Sequence, residues 1–304
     1  MDISIAGLIP CYNEELTIAK VIAGFKNRVP EAKIYVFDNN STDKTGEIAQ
    51  SSGAIVIREK RQGKGYVVQS MFNKIDADIY IMVDGDDTYD LSEVRLMISM
   101  VMNDEADMVV GTRLETYTDK SFRPFHTFGN KLVKSLINKL FRTNLKDIMS
   151  GLRVMSRAFV KNINIMASGF EVETEMTIKA LKYGYMIKEL DISYKERPAG
   201  SFSKLNTFKD GARVIKTIFT IFKDYRPLLF FSMIALFFLL ISLCSGYVVV
   251  DEFIETRYIT HVPLAIFASG TMILAIISFV TGIILDSVNR RVDELYSYLK
   301  GNRP

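Results

Sequence analysis

The chain has 304 residues, of which 48% are hydrophobic and 24% charged, and its formal net charge is +3. That length suits one large or two small domains, and the composition excludes intrinsic disorder, collagen and a disulfide scaffold. Residues 227–250 and 262–285 contain no Asp, Glu, Lys or Arg; as helices each would be roughly 36 Å long, beyond the ~30 Å hydrocarbon core of a bilayer, which argues against a purely soluble protein.

No basic-then-apolar leader precedes the first apolar run, so no cleaved signal peptide is expected. The first 110 residues alternate β-type runs with helix-like segments. Ile3–Ile9, Lys33–Phe37, Ala54–Ile57, Ile79–Val83 and Met108–Val110 read as strands. Glu14–Val29, Asp43–Ser51, Gly65–Asn73 and Ser92–Asn103 read as the helices between them. Short apolar strands separated by helices predict a doubly wound α/β domain with a mostly parallel sheet, which binds ligands beyond the carboxyl ends of its strands.

Three of those strand ends carry polar or acidic groups. The first leads to Pro10-Cys11-Tyr12-Asn13-Glu14, the second to Asp38-Asn39-Asn40-Ser41-Thr42-Asp43, and the fourth to Asp84-Gly85-Asp86-Asp87. Two carboxylates two residues apart at a strand end suit a hard divalent cation, and Gly85 between them would let a ligand approach the backbone. Cys11 lies on this rim, but with only His126 and His261 in the chain it has no triad context and reads as a packed thiol. Cys11 and Cys244 form no CxxC, so neither a disulfide framework nor a zinc site is expected.

Lys120 to Lys146 carries seven basic residues and no acid, and Lys195 to Arg226 carries eight basic residues against three acidic ones. Both stretches suit phosphates of a lipid headgroup or a substrate, and no nucleic-acid motif accompanies them. Residues 120–146 read as a basic amphipathic helix with Pro124 in its first turn and Phe125, Phe128, Leu132, Leu136 and Leu140 on one face. Phe208–Phe222 reads as a second, with Thr207 and Asp210 resembling a capping box. Two readings stand for both helices: packing within the domain, or lying at a membrane interface.

The apolar runs predict a transmembrane hairpin. Its connector, Asp251–His261, has three acids and one Arg, whereas Lys223 and Arg226 precede the hairpin and Arg290 and Arg291 follow it. The positive-inside rule then places the α/β domain and both termini in the cytoplasm, at the inner (plasma) membrane. Neither span holds an ionisable residue, so no ion path is expected.

In order along the chain, Pro10-x-Tyr12-Asn13-Glu14, Asp38-x-x-Ser41-x-Asp43 and Asp84-x-Asp86 resemble the family 2 glycosyltransferases of GT-A fold. More closely they resemble the polyprenyl-phosphate branch, which includes dolichol-phosphate mannose synthase and bacterial undecaprenyl-phosphate glucosyltransferases. Gly63-Lys64-Gly65, Gly111-Thr112-Arg113, Asp147-x-x-Ser150-Gly151-x-Arg153, Gly169-Phe170-Glu171-x-Glu173-x-Glu175 and Arg197-x-x-Gly200-x-x-Ser203-Lys204-Leu205 continue the resemblance, which covers roughly residues 3–205. The second motif departs from the usual Asp-Gly-Ser, and Glu173 stands where dolichol relatives often have Gln.

The resemblance implies a cytoplasmic GT-A catalytic domain over 1–205, a juxtamembrane amphipathic helix over 206–226, the hairpin over 227–285 and a cytoplasmic tail over 286–304. It implies inverting transfer of one sugar from a nucleotide sugar, UDP-linked, to a polyprenyl phosphate such as undecaprenyl phosphate, with Mg²⁺ or Mn²⁺ as cofactor. The implied metal ligands are Asp86, Glu173 and Asp84. Glu171, Glu173 and Glu175 alternate, so on a helix they cannot all face one site. Asp38 would bind the base, with Pro10, Tyr12, Asn13, Glu14 and Gly85 at the same donor end and Lys64 on a phosphate. Arg113, Arg153 and Arg197 would clamp the donor diphosphate or acceptor phosphate, with Ser203 and Lys204 in an acceptor-phosphate loop. Asp147 would be a base or a group that positions the acceptor; with Asp86 and Arg113 it completes the implied catalytic set. The bacterial branch implies a homo-oligomer, a tetramer. A processive synthase is disfavoured because the chain has no Trp for the Gln-x-x-Arg-Trp segment such enzymes carry. A soluble glycan or protein acceptor is the alternative to the lipid.

Overall fold

The computed structural model describes residues 3–113, 124–169, 171–195 and 219–301. Two compact units divide the chain, 1–211 and 212–304. The first contains a mixed, mostly parallel seven-stranded sheet. Its strands are β1 (Ile5–Cys11), β2 (Lys33–Asp38), β3 (Ile55–Arg58), β4 (Ile79–Met82), β5 (Met108–Arg113), β6 (Arg153–Ser156) and β7 (Ile187–Ile192), in spatial order β3-β2-β1-β4-β6-β5-β7. β6 is the exception to parallel pairing, running antiparallel to both β4 and β5.

Helices α1 (Ile18–Arg28), α2 (Thr45–Ser51), α3 (Lys64–Lys74) and α4 (Val94–Met102) are the crossovers between the first five strands. They bury two separate cores, so the sheet is covered on both faces. Residues 5–11 of β1 and 79–82 of β4 are accordingly buried at every position. Strand ends extend past their apolar runs because pairing continues: Cys11 registers with Asp38, and Arg113 with Ile192.

Helix α5 (Pro124–Phe141) lies inside the expected basic amphipathic stretch. Its packed positions are Val133 and Ile137, both buried, whereas Leu132 of the expected stripe is 45% exposed. Leu136 and Leu140 of that stripe are half-buried beside them, so the packed face centres on Val133 and Ile137. The chain stops helically at Arg142, which takes a positive φ of 55°. Asn138 fixes the turn by accepting from Leu145 N at 3.0 Å and donating to Leu145 O at 3.0 Å. Helices α6 (Arg157–Asn162) and α7 (Val172–Lys182) follow β6.

The second unit contains α8 (Pro227–Thr256) and α9 (Val262–Gly301), two helices long and apolar enough to cross a membrane. Both run beyond the expected spans, and Ser242 Oγ donates to Ala268 O at 2.8 Å between them. Ala235, Val249, Ala268 and Ala275 are buried in the hairpin, while Phe237, Leu240, Ile266 and Ile277 are exposed. An outward apolar face flanking a small-residue seam is the arrangement of helices in lipid. The expected helix Phe208–Phe222 lies outside the described residues up to 218.

Candidate active site

The acidic rim is assembled from the ends of β1, β2 and β4. Gly85 is buried between Asp84 and Asp86, and a Cβ there would stand 2.7 Å from Cys11 Sγ and 3.6 Å from Glu14 Cγ. The protein's own contacts with the β1 end thus already require glycine here. Thr17 Oγ1 donates to Gly85 O at 2.7 Å and locks the turn to the start of α1. Asp86 is buried, and its Oδ1 accepts from Thr88 Oγ1 at 2.6 Å.

The β1 and β2 loops are laced together. Asn13, at φ 53°, accepts from Thr42 N through Oδ1 at 2.8 Å and donates its own N–H to Ser41 Oγ at 3.0 Å. Glu14 N donates to Thr45 Oγ1 at 2.8 Å, and Asp38 Oδ1 accepts from Ser41 N at 3.0 Å. Asn40 takes the left-handed conformation, φ 61°, that Asn tolerates. Pro10 is buried at this end, whereas Tyr12 is exposed. Asn39, also buried, donates to the carbonyls of Glu59 and Arg61.

Lys64 opens α3 between two glycines. A Cβ on Gly63 would lie 2.1 Å from Ser168 O, and one on Gly65 would lie 2.0 Å from Ala167 O, so only glycine fits under that loop. Lys64 Nζ reaches Asp84 Oδ1 at 2.6 Å and also contacts the Glu173 carboxylate from the first turn of α7. Burial alone would lower the Lys64 pKa, but the charges of Asp84 and Glu173 outweigh it and hold the ammonium above its ordinary value. Burial pushes the Glu173 carboxyl up against the pull of Lys64, and the nearby Asp84 charge adds to the rise.

The other glutamates of the alternating run diverge, as helix geometry requires. Glu175 accepts from Ala167 N at 2.7 Å and pairs with Lys179 at 2.6 Å. Glu171 Oε1 accepts from Gly169 N at 3.1 Å, and among the described residues its buried Oε2 has no hydrogen-bond partner.

Arg113, at the end of β5, clasps Asp147. Its Nε lies 2.7 Å from Oδ2 and its Nη2 lies 3.0 Å from Oδ1. Glu189 on β7 accepts from the backbone N–H of Lys146 and Asp147 at 2.9 Å, so the loop is held from its other side. Although burial opposes it, the Arg113 fork holds the Asp147 carboxyl below the usual carboxylate range. Tyr89 joins this clasp to the acidic rim: its hydroxyl accepts from Gly151 N at 2.7 Å, and a Cβ on Gly151 would fall 2.5 Å from Asp84 Oδ2. Tyr194 stacks edge-on against Tyr89, centroids 5.1 Å apart, and lies beneath the Arg113 guanidinium.

Arg153 differs from the expectation of a phosphate clamp. It is fully buried, with Nε donating to Ser150 O at 3.0 Å, Nη2 to Ile148 O at 2.9 Å and Nη1 to Thr177 Oγ1 at 3.0 Å. Its donors are committed to the protein, and it acts as a strut between the Asp147 loop and α7. Arg197, Ser203 and Lys204 lie outside the described residues.

Sequence patterns therefore named Lys64, Asp84, Glu173, Arg113 and Asp147, which the fold brings together. They missed Tyr89, Tyr194 and Glu189. Tyr89 sits three residues past Asp86 and could have been suspected; Tyr194 and Glu189 carry no local motif.

The oxygen donors suit a hard cation. Among the described residues no three His, Cys, Asp or Glu side chains form a metal cage. Two carboxylates, Asp84 and Glu173, nevertheless converge on one cation, the Lys64 ammonium. That set fits a magnesium-like ion held by one or two carboxylates and completed by substrate phosphates, not an all-protein site.

Residues 8–163 match the family described as glycosyl transferase family 2. The chain is 53% identical to protein RfbJ of Shigella flexneri over 123 residues, covering 40% of this chain and 95% of that protein. It is 29% identical over 222 residues to a dolichyl-phosphate hexose transferase of Haloferax volcanii, covering 73% of this chain and 95% of that one. Its fold is similar to glucosyl-3-phosphoglycerate synthase of Mycobacterium tuberculosis, a structure in complex with Mn²⁺, UDP and phosphoglyceric acid, at TM-score 0.60 and 20% identity over 73% of this chain and 78% of that one. The chain belongs to glycosyl transferase family 2 and is a glycosyltransferase with the GT-A fold.

Proposed function

We propose that the chain moves one hexose from a UDP-sugar to a polyprenyl phosphate, with inversion at the anomeric carbon. The observation that carries this reading is the pairing of the Lys64–Asp84–Glu173 cluster with the Arg113–Asp147 clasp, in a chain that also has two apolar hairpin helices. The hexosyl relative with a dolichyl-phosphate name supports a lipid acceptor, and the manganese and UDP in a fold neighbour support a cation-dependent nucleotide donor.

In this reading the donor lies across the carboxyl ends of β1, β2 and β4. Asp38, Asn13 and Glu14 border its base, with Pro10 and Tyr12 beside them. Asp86, Asp84 and Glu173 would hold Mg²⁺ or Mn²⁺, which when bound neutralises charge on the departing diphosphate. Lys64 meets the same diphosphate. The acceptor phosphate oxygen forms a bond to the anomeric carbon as the bond to the diphosphate oxygen breaks, and UDP leaves. A phosphate with a second pKa of about 6 is already anionic near neutral pH and requires no base. Asp147, held ionised by Arg113, is a poor proton acceptor; we assign it to placing Arg113 against the acceptor. Arg197, Ser203 and Lys204 are assigned to the acceptor phosphate on sequence alone.

The hairpin anchors the enzyme in the inner membrane with the catalytic unit and both termini in the cytoplasm, following the basic flanks and acidic connector. Self-association, as a tetramer, would shield the spans. The test is a donor panel on the full chain with Mn²⁺ and undecaprenyl phosphate. The reading expects UDP release coupled to a lipid-linked sugar, and sugar appearing only on soluble glycans or proteins contradicts it.

A further inference from the structure

Lys64 stands where a cation would stand. Its ammonium bridges Asp84 and Glu173, and its side chain is 11% exposed against 4% for Glu173. The three residues come from three elements: the N-terminus of α3, the end of β4 and the first turn of α7. We infer that Lys64 is an internal placeholder cation that keeps divalent metal out of the donor-free enzyme, so that metal and nucleotide sugar enter together. This rests on the donor-site reading above.

Charge and reach decide which cation the two carboxylates hold. A divalent ion between the same two carboxylates would lie a few ångströms from the ammonium, and like charges at that range in a half-buried site repel strongly. The carboxylates cannot serve both cations well. A diphosphate changes the balance, because it brings negative charge for which the ammonium is a competent point partner. Only the tip of Lys64 has to move: Gly63 and Gly65 are seated under the carbonyls of Ser168 and Ala167, which fixes the backbone, while the four-carbon stem can swing. One ammonium already contacts both carboxylates, so the donor-free site holds a cation without metal. Linkage makes the effect reciprocal, so metal tightens nucleotide binding by the same factor as nucleotide tightens metal binding.

The test measures Mn²⁺ binding by the decline of the free-ion electron paramagnetic resonance signal, using full-length protein in detergent with and without UDP. Wild type is compared with K64Q and K64M, which drop the charge at similar length, and with K64R, which keeps it. Without UDP, K64Q and K64M should bind Mn²⁺ about tenfold more tightly than wild type, with K64R within about threefold of wild type. Unchanged or weaker Mn²⁺ binding by the neutral variants, while wild type takes up Mn²⁺ with UDP, overturns the inference alone. Failure of every protein to bind Mn²⁺ even with UDP overturns the donor-site reading as well. Wild type supplies a check independent of variant folding: Mn²⁺ affinity that is equal with and without UDP overturns the inference.

Discussion

Arg113 and Asp147 meet through two parallel hydrogen bonds, Nε to Oδ2 at 2.7 Å and Nη2 to Oδ1 at 3.0 Å, joining the end of β5 to the loop after α5. The fork geometry is specific to a guanidinium, and both side chains are largely buried. Replacing Arg113 by Met leaves a buried carboxylate without its partner, which should cost about 3–5 kcal/mol of stability. R113K keeps the charge but loses the fork; kcat should fall about a hundredfold with a smaller loss of stability. Thermal unfolding and steady-state kinetics on the two variants check this, and equal behaviour of R113K and wild type contradicts it.

The pH dependence of transfer follows from the same clasp. The Asp147 carboxyl is depressed, so it is ionised throughout the working range and supplies no limb near neutrality. The acceptor phosphate gains its second charge through a pKa of about 6, and the rate should rise with pH across that value. D147N should lower kcat and leave the midpoint of the limb in place. A midpoint displaced by one unit or more in D147N would assign the titration to Asp147 instead.

Arg153 offers a test of strut against clamp. Its guanidinium is committed to Ile148 O, Ser150 O and Thr177 Oγ1. R153M strands two buried carbonyls at about 1–3 kcal/mol each. The displaced Asp147 loop should lower kcat while the KM for the nucleotide sugar changes less than about threefold, since the Arg153 donors are turned inward to the protein. A large rise in KM with kcat unchanged would restore the phosphate-clamp role.

Glu59 sets part of the acid limit of stability. Hydrogen bonding from Arg61 holds its carboxyl down to about 2, and the same turn receives the Asn39 amide behind the Asp38 loop. A carboxyl whose folded pKa is depressed stabilises the fold above its unfolded value of about 4.3 and loses that contribution as pH falls toward the folded value. Wild type should therefore lose stability between about pH 4.5 and 2 faster than E59Q, by urea unfolding at each pH. Parallel curves for the two proteins would contradict the assignment.

Much of this architecture was legible in the sequence because each signal was local. The apolar runs of β1 and β4 are buried on both faces, so they read as strands without alternation, and Lys64, Asp84 and Glu173 each sit in a short motif. What was not legible depends on long-range pairing. The four-residue β6 begins with Arg153, and nothing local reveals that it enters between β4 and β5 in the opposite direction. For the same reason Arg153 was expected to clamp a phosphate: only the Ser150 and Ile148 carbonyls and Thr177 of α7, brought around it by the fold, make its burial tolerable. The role of Gly85 turned on Cys11, which is 74 positions away in sequence and becomes a neighbour only through the β1–β4 pairing.

The most direct measurement follows radiolabelled sugar from UDP-hexose, with Mn²⁺ and undecaprenyl phosphate, into the organic phase after extraction, using wild type and Asp86→Ala side by side. The account predicts lipid-soluble label with wild type and at least a hundredfold less, roughly, with the variant, since charge neutralisation at the leaving diphosphate is lost. Label that stays in the aqueous phase with wild type, or equal transfer by Asp86→Ala, contradicts it.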